Sequence, residues 1–224
     1  MGGKAPLPWG KALPHGKTTD GGKDGPRPLF SGPHPPPAKS RRGIFALARG
    51  GEIRYNVPIT LREGCWVEHE EYMRQALDLA RQAAAAGEVP VGCVIVSREG
   101  EILGRGRNRR EGDHDPLAHA ELEAIRDACR AHGDWRLKGA RLYVTLEPCP
   151  MCAGGILSAR IPEIYYGAKD RGFGACGSIL NLFEEDFRHH PKIVGHILEE
   201  ECAQVLRDFF AQVREKGPEN LKIL

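Results

Sequence analysis

From Val67 onward, apolar and polar positions recur with the periods of packed secondary structure. In VEHEEYMRQALDLARQAAAAG, Tyr72, Ala76, Leu79 and Ala83 fall at helical steps, which predicts an amphipathic helix over 67–87 stopped by Gly87. VPVGCVIV at 89–96 is a β-branched run, SREGE supplies a turn, and ILGRGRN at 102–108 returns, so the pair predicts an antiparallel hairpin. Asp115-Pro116 offers an N-cap followed by proline at the first helical position. A second helix is predicted from there through Leu117, Leu122 and Ile125 to His132-Gly133. RLYVTLEP at 141–148 predicts a strand ending at Pro148, CPMCAGGILSARI a short third helix, EIYYG at 163–167 a further strand, and KIVGHI at 192–197 a short fifth element. LEEECAQVLRDFFAQVREKG closes the pattern with a helix striped by Cys202, Val205, Leu206, Phe209 and Val213. Strands separated by helical segments predict an α/β fold with a mixed sheet and helices on both faces, because parallel neighbours need crossover connections.

Composition divides the chain unevenly. Residues 1–60 hold 11 of the 28 Gly and 10 of the 17 Pro, and ten Lys and Arg against three Asp and Glu. That local charge of +7 leaves −5 for the other 164 of the 224 residues. A segment about one third Gly plus Pro, with few large apolar residues, cannot bury enough surface to offset the entropy of ordering it. This predicts a disordered or loosely attached basic tail at 1–60, with a start site assigned too far upstream as the open alternative. Residues 61–224 are then one domain, of which about 150 to 160 residues fold. At that size about 70% of the unfolded chain's surface is buried, enough for a core without disulfides.

No apolar run approaches the length of a membrane span, and the first residues, MGGKAPLPWGKALPHGK, lack the apolar core of a secretory leader. Seven cysteines, an odd count, are scattered at 65, 93, 129, 149, 152, 176 and 202. Together these predict a cytoplasmic protein with reduced thiols.

The chemistry-bearing residues cluster in two short segments. His119-Ala120-Glu121 follows the Asp115-Pro116 signal, and Cys149-Pro150-Met151-Cys152 follows the third strand. Two thiolates and an imidazole suit Zn2+, and three protein ligands leave a fourth position for water, as in catalytic rather than closed structural sites. Cys149 and Cys152, three apart, share one helical face. His119 and Glu121 lie about 200° apart around a helix, so they converge only beyond its N-terminal end. The metal is therefore expected where two helix N-termini meet, with Glu121 left to carry protons. Competing readings are a redox Cys-x-x-Cys pair and a structural zinc completed by Cys176; the first has no use for His119, and the second leaves Glu121 idle. His-x-Glu with Pro-Cys-x-x-Cys is the signature of zinc nucleobase deaminases.

From about residue 67 to 216 the chain resembles the bacterial tRNA adenosine deaminases, the TadA family. The resemblance rests on GEVPVGCVIV (87–96), RNRREGDHDPLAHAE (107–121), YVTLEPCPMCAGGIL (143–157), YGAKDRGFGACGS (166–178) and ILEEECAQVLRDFF (197–210), in that order. It implies a three-layer α/β/α cytidine deaminase-like fold with a mixed central sheet. One Zn2+ per subunit would be held by His119, Cys149 and Cys152, with Glu121 as proton shuttle. It further implies hydrolysis of the wobble adenosine (A34) of a tRNA anticodon stem-loop, a tRNA-Arg, to inosine with release of ammonia, by a homodimer. Asn108 would touch the target nucleotide, Val89, Pro90 and Val91 would wall the base pocket, and Asp170 would lie near the RNA backbone or a ribose hydroxyl. His114 and Asp115 would organise the loop before the second helix. Lys169, Arg171, Arg207 and Arg214 are candidate phosphate contacts, whereas Phe209 and Phe210 are expected in the core or a dimer contact. The runner-up activity is deamination of a free base or nucleoside of guanine or cytosine type by the same zinc site. A zinc-stapled RNA-binding module is the non-enzymatic alternative. The domain's −5 balance is unusual for an RNA binder, so binding would have to use a local basic face.

Overall fold

A computed structural model describes residues 63–215, with side chains from Val67. The expected tail at 1–60 lies outside the described residues, as does the segment from 216. Helix α1 (Glu63–Ala85) is followed by the hairpin β1 (Gly92–Val96) and β2 (Ile102–Arg107), a one-turn helix α2 (Arg110–Asp113) and helix α3 (Ala120–His132). Then come β3 (Arg141–Leu146), α4 (Pro150–Ala159), β4 (Glu163–Ala168), a 3₁₀ turn at Leu182–Glu184, β5 (Lys192–Val194) and α5 (Glu199–Glu215). The sheet order is β2-β1-β3-β4-β5; β1 runs antiparallel to both neighbours, and β3, β4 and β5 are parallel.

Alternation along the strands sorts the core into two layers. Cys93, Ile95, Leu142 and Val144 point to one face, where Ala120, Ala124 and Ala128 of α3 and Ala153 and Ile156 of α4 cover them. Val94, Val96, Tyr143 and Tyr165 point to the other, under Met73, Ala76 and Leu77 of α1 and Cys202 of α5. The result is the three-layer α/β/α arrangement with a mixed sheet that the sequence implied. On the α1 face, His69 Nδ1 lies 2.8 Å from the Tyr143 hydroxyl and its ring stacks 4.2 Å from that of Tyr165.

The helix expected from Asp115 starts later and packs differently. Asp115 caps a turn, its Oδ1 accepting from Leu117 N at 2.8 Å, and the helix begins at Ala120 with His119 as N-cap. Leu117, expected on the buried stripe, is 46% exposed, and the fully buried positions are alanines. The reason lies in β2: a Cβ at Gly106 would sit 2.1 Å from the Ala120 carbonyl, and one at Gly104 2.4 Å from that of Ala124. Helix and strand backbones touch there, leaving room for nothing larger than alanine between them.

Candidate active site

Two helix N-termini meet at the end of the sheet where β3 finishes. His119 is the N-cap of α3 and Glu121 lies in its first turn; Cys149 is the N-cap of α4, Pro150 is in its first turn, and Cys152 follows within that turn. His119 Nδ1 lies 3.8 Å from Cys149 Sγ and 3.7 Å from Cys152 Sγ, and the three donor atoms all fall within 4.8 Å of one another. Cys176 does not belong to this group; its backbone N–H instead donates to Glu147 Oε1 at 2.9 Å. A fourth-cysteine structural site therefore has no support among the described residues.

The electrostatics suit a cation. Hydrogen bonds from Cys152 and then His119 hold the Cys149 thiol well below its ordinary range, while the same pairing and burial push Cys152 up. His119 is raised by its hydrogen bond to Cys149. The three groups thus share protons that a bound metal would displace, and their soft, mixed donor set with small mutual spacing fits Zn2+. Glu121 is only 4% exposed, and burial lifts its carboxyl to about 7, near the pH at which a proton carrier works best.

The cluster opens into a cleft of about 650 Å³. Val89, Asn108 and Asp170 line it; Val91 also lines it, whereas Pro90 is buried between them and does not. Asn108 is 8% exposed, and its N–H donates to the Val91 carbonyl at 3.0 Å. Asp170 Oδ1 accepts from Gly172 and Phe173 N–H at 2.8 and 3.0 Å, tightening the turn that carries Phe173 to the cleft. The C-terminal helix departs from expectation: Phe209 is in the core, but Phe210 and Leu206 line the cleft wall.

Two buried glutamates, neither singled out from the sequence, hold the cleft's rims. Glu88, 2% exposed, accepts from Gly112 N at 2.7 Å and Glu111 N at 3.1 Å, fixing the α2 turn on one side. Glu147, also 2% exposed, accepts from Cys176 N and Ser178 N on Oε1 and from Asp170 N and the Ser178 hydroxyl on Oε2, fixing the 170–178 loop on the other. Gly174 is needed for that approach, since a Cβ there would lie 2.5 Å from the Glu147 carboxyl carbon. A signal was available: a carboxylate inside an apolar run must find partners if it is buried.

A thiolate–imidazole group that could hold a metal, a buried carboxylate beside it and a cleft in front are the parts a zinc-dependent hydrolytic deaminase needs. The family model for the cytidine and deoxycytidylate deaminase zinc-binding region matches residues 67–168. The tRNA-specific adenosine deaminase of Bacillus subtilis (strain 168) is 46% identical over 150 residues, covering 66% of this chain and 92% of the relative. The chain belongs to the tRNA-specific adenosine deaminase family. A solved structure from work on A-to-I editing by tRNA:A34 deaminases at the wobble position is 44% identical, covers 61% of this chain and 99% of the other, and superposes with a TM-score of 0.58. Guanine deaminase from Nitrosomonas europaea shares the fold at 21% identity and a TM-score of 0.58, covering 72% of this chain and 100% of the other.

Proposed function

We propose that this enzyme converts the wobble adenosine (A34) of a tRNA anticodon stem-loop to inosine and ammonia. The observation that carries the reading is the convergence of His119, Cys149, Cys152 and buried Glu121 at two helix N-termini, facing a cleft with apolar walls. His119 Nδ1 and the two Sγ atoms would hold one Zn2+, which supplies, when bound, a coordinated water acidified to a pKa of about 7. Glu121 takes the proton of the attacking water and returns it to the purine ring nitrogen. A second proton passes through the same carboxylate to the departing amine, so that water and adenosine become inosine and ammonia. Water is excluded by Val89, Val91, Leu206 and Phe210, which give a flipped-out base an apolar slot, and Asn108 stands at its edge. Asp170 acts through the turn it caps, near the ribose or backbone of the bound nucleotide.

The acceptor is read as a tRNA-Arg by resemblance to the family. Phe173, Ile179 and Phe187 are 72%, 59% and 45% exposed along the 169–191 connection, which supports a homodimer covering them. All six described cysteines are free, and no described helix is long and apolar enough to cross a membrane, in keeping with a cytoplasmic enzyme. The catalytic unit is assigned to residues 61–224.

The test is incubation of the zinc-loaded protein with an anticodon stem-loop and, separately, with free guanine and cytidine. Inosine at the wobble position alone is the expected result. Ammonia from the free base or nucleoside with untouched RNA reverses the assignment.

A further inference from the structure

The opposite end of the sheet carries a second concavity, of about 580 Å³, built where the three parallel strands begin. The approach to β3 contributes Trp135, Arg136 and Lys138, the approach to β4 Arg160, and the approach to β5 Arg188 and His189. No acidic side chain lines it. Among the described residues no carboxylate pairs with Lys138, Arg160 or Arg188; Arg136 shares Asp134 at 3.3 Å and lies 4.0 Å over the Trp135 ring. His189 is oriented by Nε2, 2.8 Å from the Ile161 carbonyl. Trp135 itself is 52% exposed.

The mouth of the catalytic cleft is different. There Arg110 pairs with Glu111 at 3.3 Å, and nearby Arg109 pairs with Asp113 at 2.9 Å and Arg207 with Glu200, so that among the described residues Lys169 is the one cation lining the cleft without a carboxylate partner. Favourable placement at a helix C-terminus accounts for Arg160, which ends α4, but not for Lys138 and Arg188, which lie in loops. In a domain whose balance is −5, such a group of unpaired cations creates a local positive field of the kind that phosphates occupy. Its members come from three separate loops and are largely exposed, which suits a chain of phosphates crossing the surface better than one enclosed anion. The half-exposed indole adds a stacking face for a base or sugar.

We propose that this pocket binds the phosphodiester backbone of the substrate tRNA outside the anticodon stem-loop. The inference rests on the tRNA reading above. A six-residue strand spans about 20 Å, less than the reach of a tRNA body held by its loop at the other edge. It also supplies the local basic face that an acidic domain needs.

The experiment uses the full chain, zinc-loaded, and compares full-length tRNA with its isolated anticodon stem-loop at several salt concentrations. K138E/R188E should raise KM for full-length tRNA about tenfold or more and lower its log KM against log salt slope by roughly 2, with kcat unchanged. The neutral pair K138Q/R188Q should give a smaller shift in the same direction. Stem-loop kinetics should be those of the unsubstituted protein in both variants. Equal losses on the two RNAs, or no change on either, overturn the proposal while leaving the deaminase assignment standing. Absence of inosine in both RNAs with the unsubstituted chain overturns the tRNA reading and this proposal together. Saturable quenching of Trp135 by AMP or inorganic phosphate, lost in K138E/R188E with no change in tRNA KM, makes the ligand a small phosphate and overturns the RNA source.

Discussion

The two ends of the parallel strands handle charge in opposite ways. At the end where β3 finishes, the groups that carry the chemistry are buried or half-buried and held together: the donor cluster of His119, Cys149 and Cys152, Glu121 beside it, and Glu88 and Glu147 capped by backbone N–H groups, with Arg110 and Lys169 exposed at the mouth. At the end where the strands begin, Lys138 and Arg188 are exposed and unpaired among the described residues. The direction of the chain imposes the difference. A β-strand followed by a crossover helix delivers helix N-termini to one end, where oriented N–H groups favour thiolates and carboxylates, and helix C-termini to the other, where cations are at home. A reaction that develops negative charge belongs at the first end; recognition of a polyanion by exposed side chains suits the second.

The largest effects should come from breaking the first end. H119A or C152S should remove zinc, measured by metal analysis of the purified protein, and reduce A-to-I conversion to background. E121Q should leave the zinc in place and lower kcat by about 10²–10⁴. Loss of zinc from E121Q would mean that Glu121 is a ligand and that the division of labour is wrong.

Next in size are the rim carboxylates. E147Q keeps the shape but replaces an acceptor oxygen with a donor that opposes backbone N–H groups, a loss of about 1–3 kcal/mol. Its expected signature is faster hydrogen exchange at residues 170–178 and a rise in KM with zinc content preserved. E88Q should do the same to residues 110–113. If both variants lose zinc instead, the carboxylates support the metal rather than the rims.

An effect on stability of similar size, but a smaller one on the site, is expected between the two ends, in the packing that sets the α3 N-terminus. G106A must push the Ala120 carbonyl away and should cost about 1–3 kcal/mol of stability by denaturant titration. Activity should fall along with it because Ala120 lies between His119 and Glu121. Unchanged activity in a destabilised variant would uncouple that packing from the site.

The smallest effect concerns pH and the α1 face. Burial, reinforced by Arg141, holds His69 below its ordinary 6.5; Lys192 acts in the same sense and Glu68 and Glu163 oppose it. The unfolded chain therefore binds the proton first. The contribution to stability is complete above about pH 6.5 and shrinks as pH falls through that value toward the folded-state pKa. The thermal midpoint of H69F should fall less between pH 7.5 and 5.5 than that of the unsubstituted protein; equal falls would assign the acid sensitivity elsewhere.

Much of this architecture could be read along the chain. The hairpin, the cysteine-bearing helix and the striped C-terminal helix follow from local periodicity. Spacing together with the helix signal at Asp115-Pro116 was also enough to place His119 and Glu121 at a helix end, because two residues about 200° apart on a helix face one point only beyond its end. What the chain could not disclose were contacts between residues distant in sequence. The alanine stripe of α3 depends on two glycines of β2, so Leu117, a good local candidate for the core, ends up exposed. Glu88 and Glu147 acquire their work only when loops 23 and 31 residues away fold over them. Phe210, read as core or dimer contact, lines the cleft because α5 packs over the sheet and turns that side chain, one position beyond buried Phe209, toward the site. Sequence by itself determined most of the elements and the identity of the His-Cys-Cys group that could hold a metal, since both rest on short local patterns. Tertiary structure alone decided which carboxylates brace the cleft and which cations stay unpaired, since a charge's role depends on what the rest of the chain brings within a few ångströms of it.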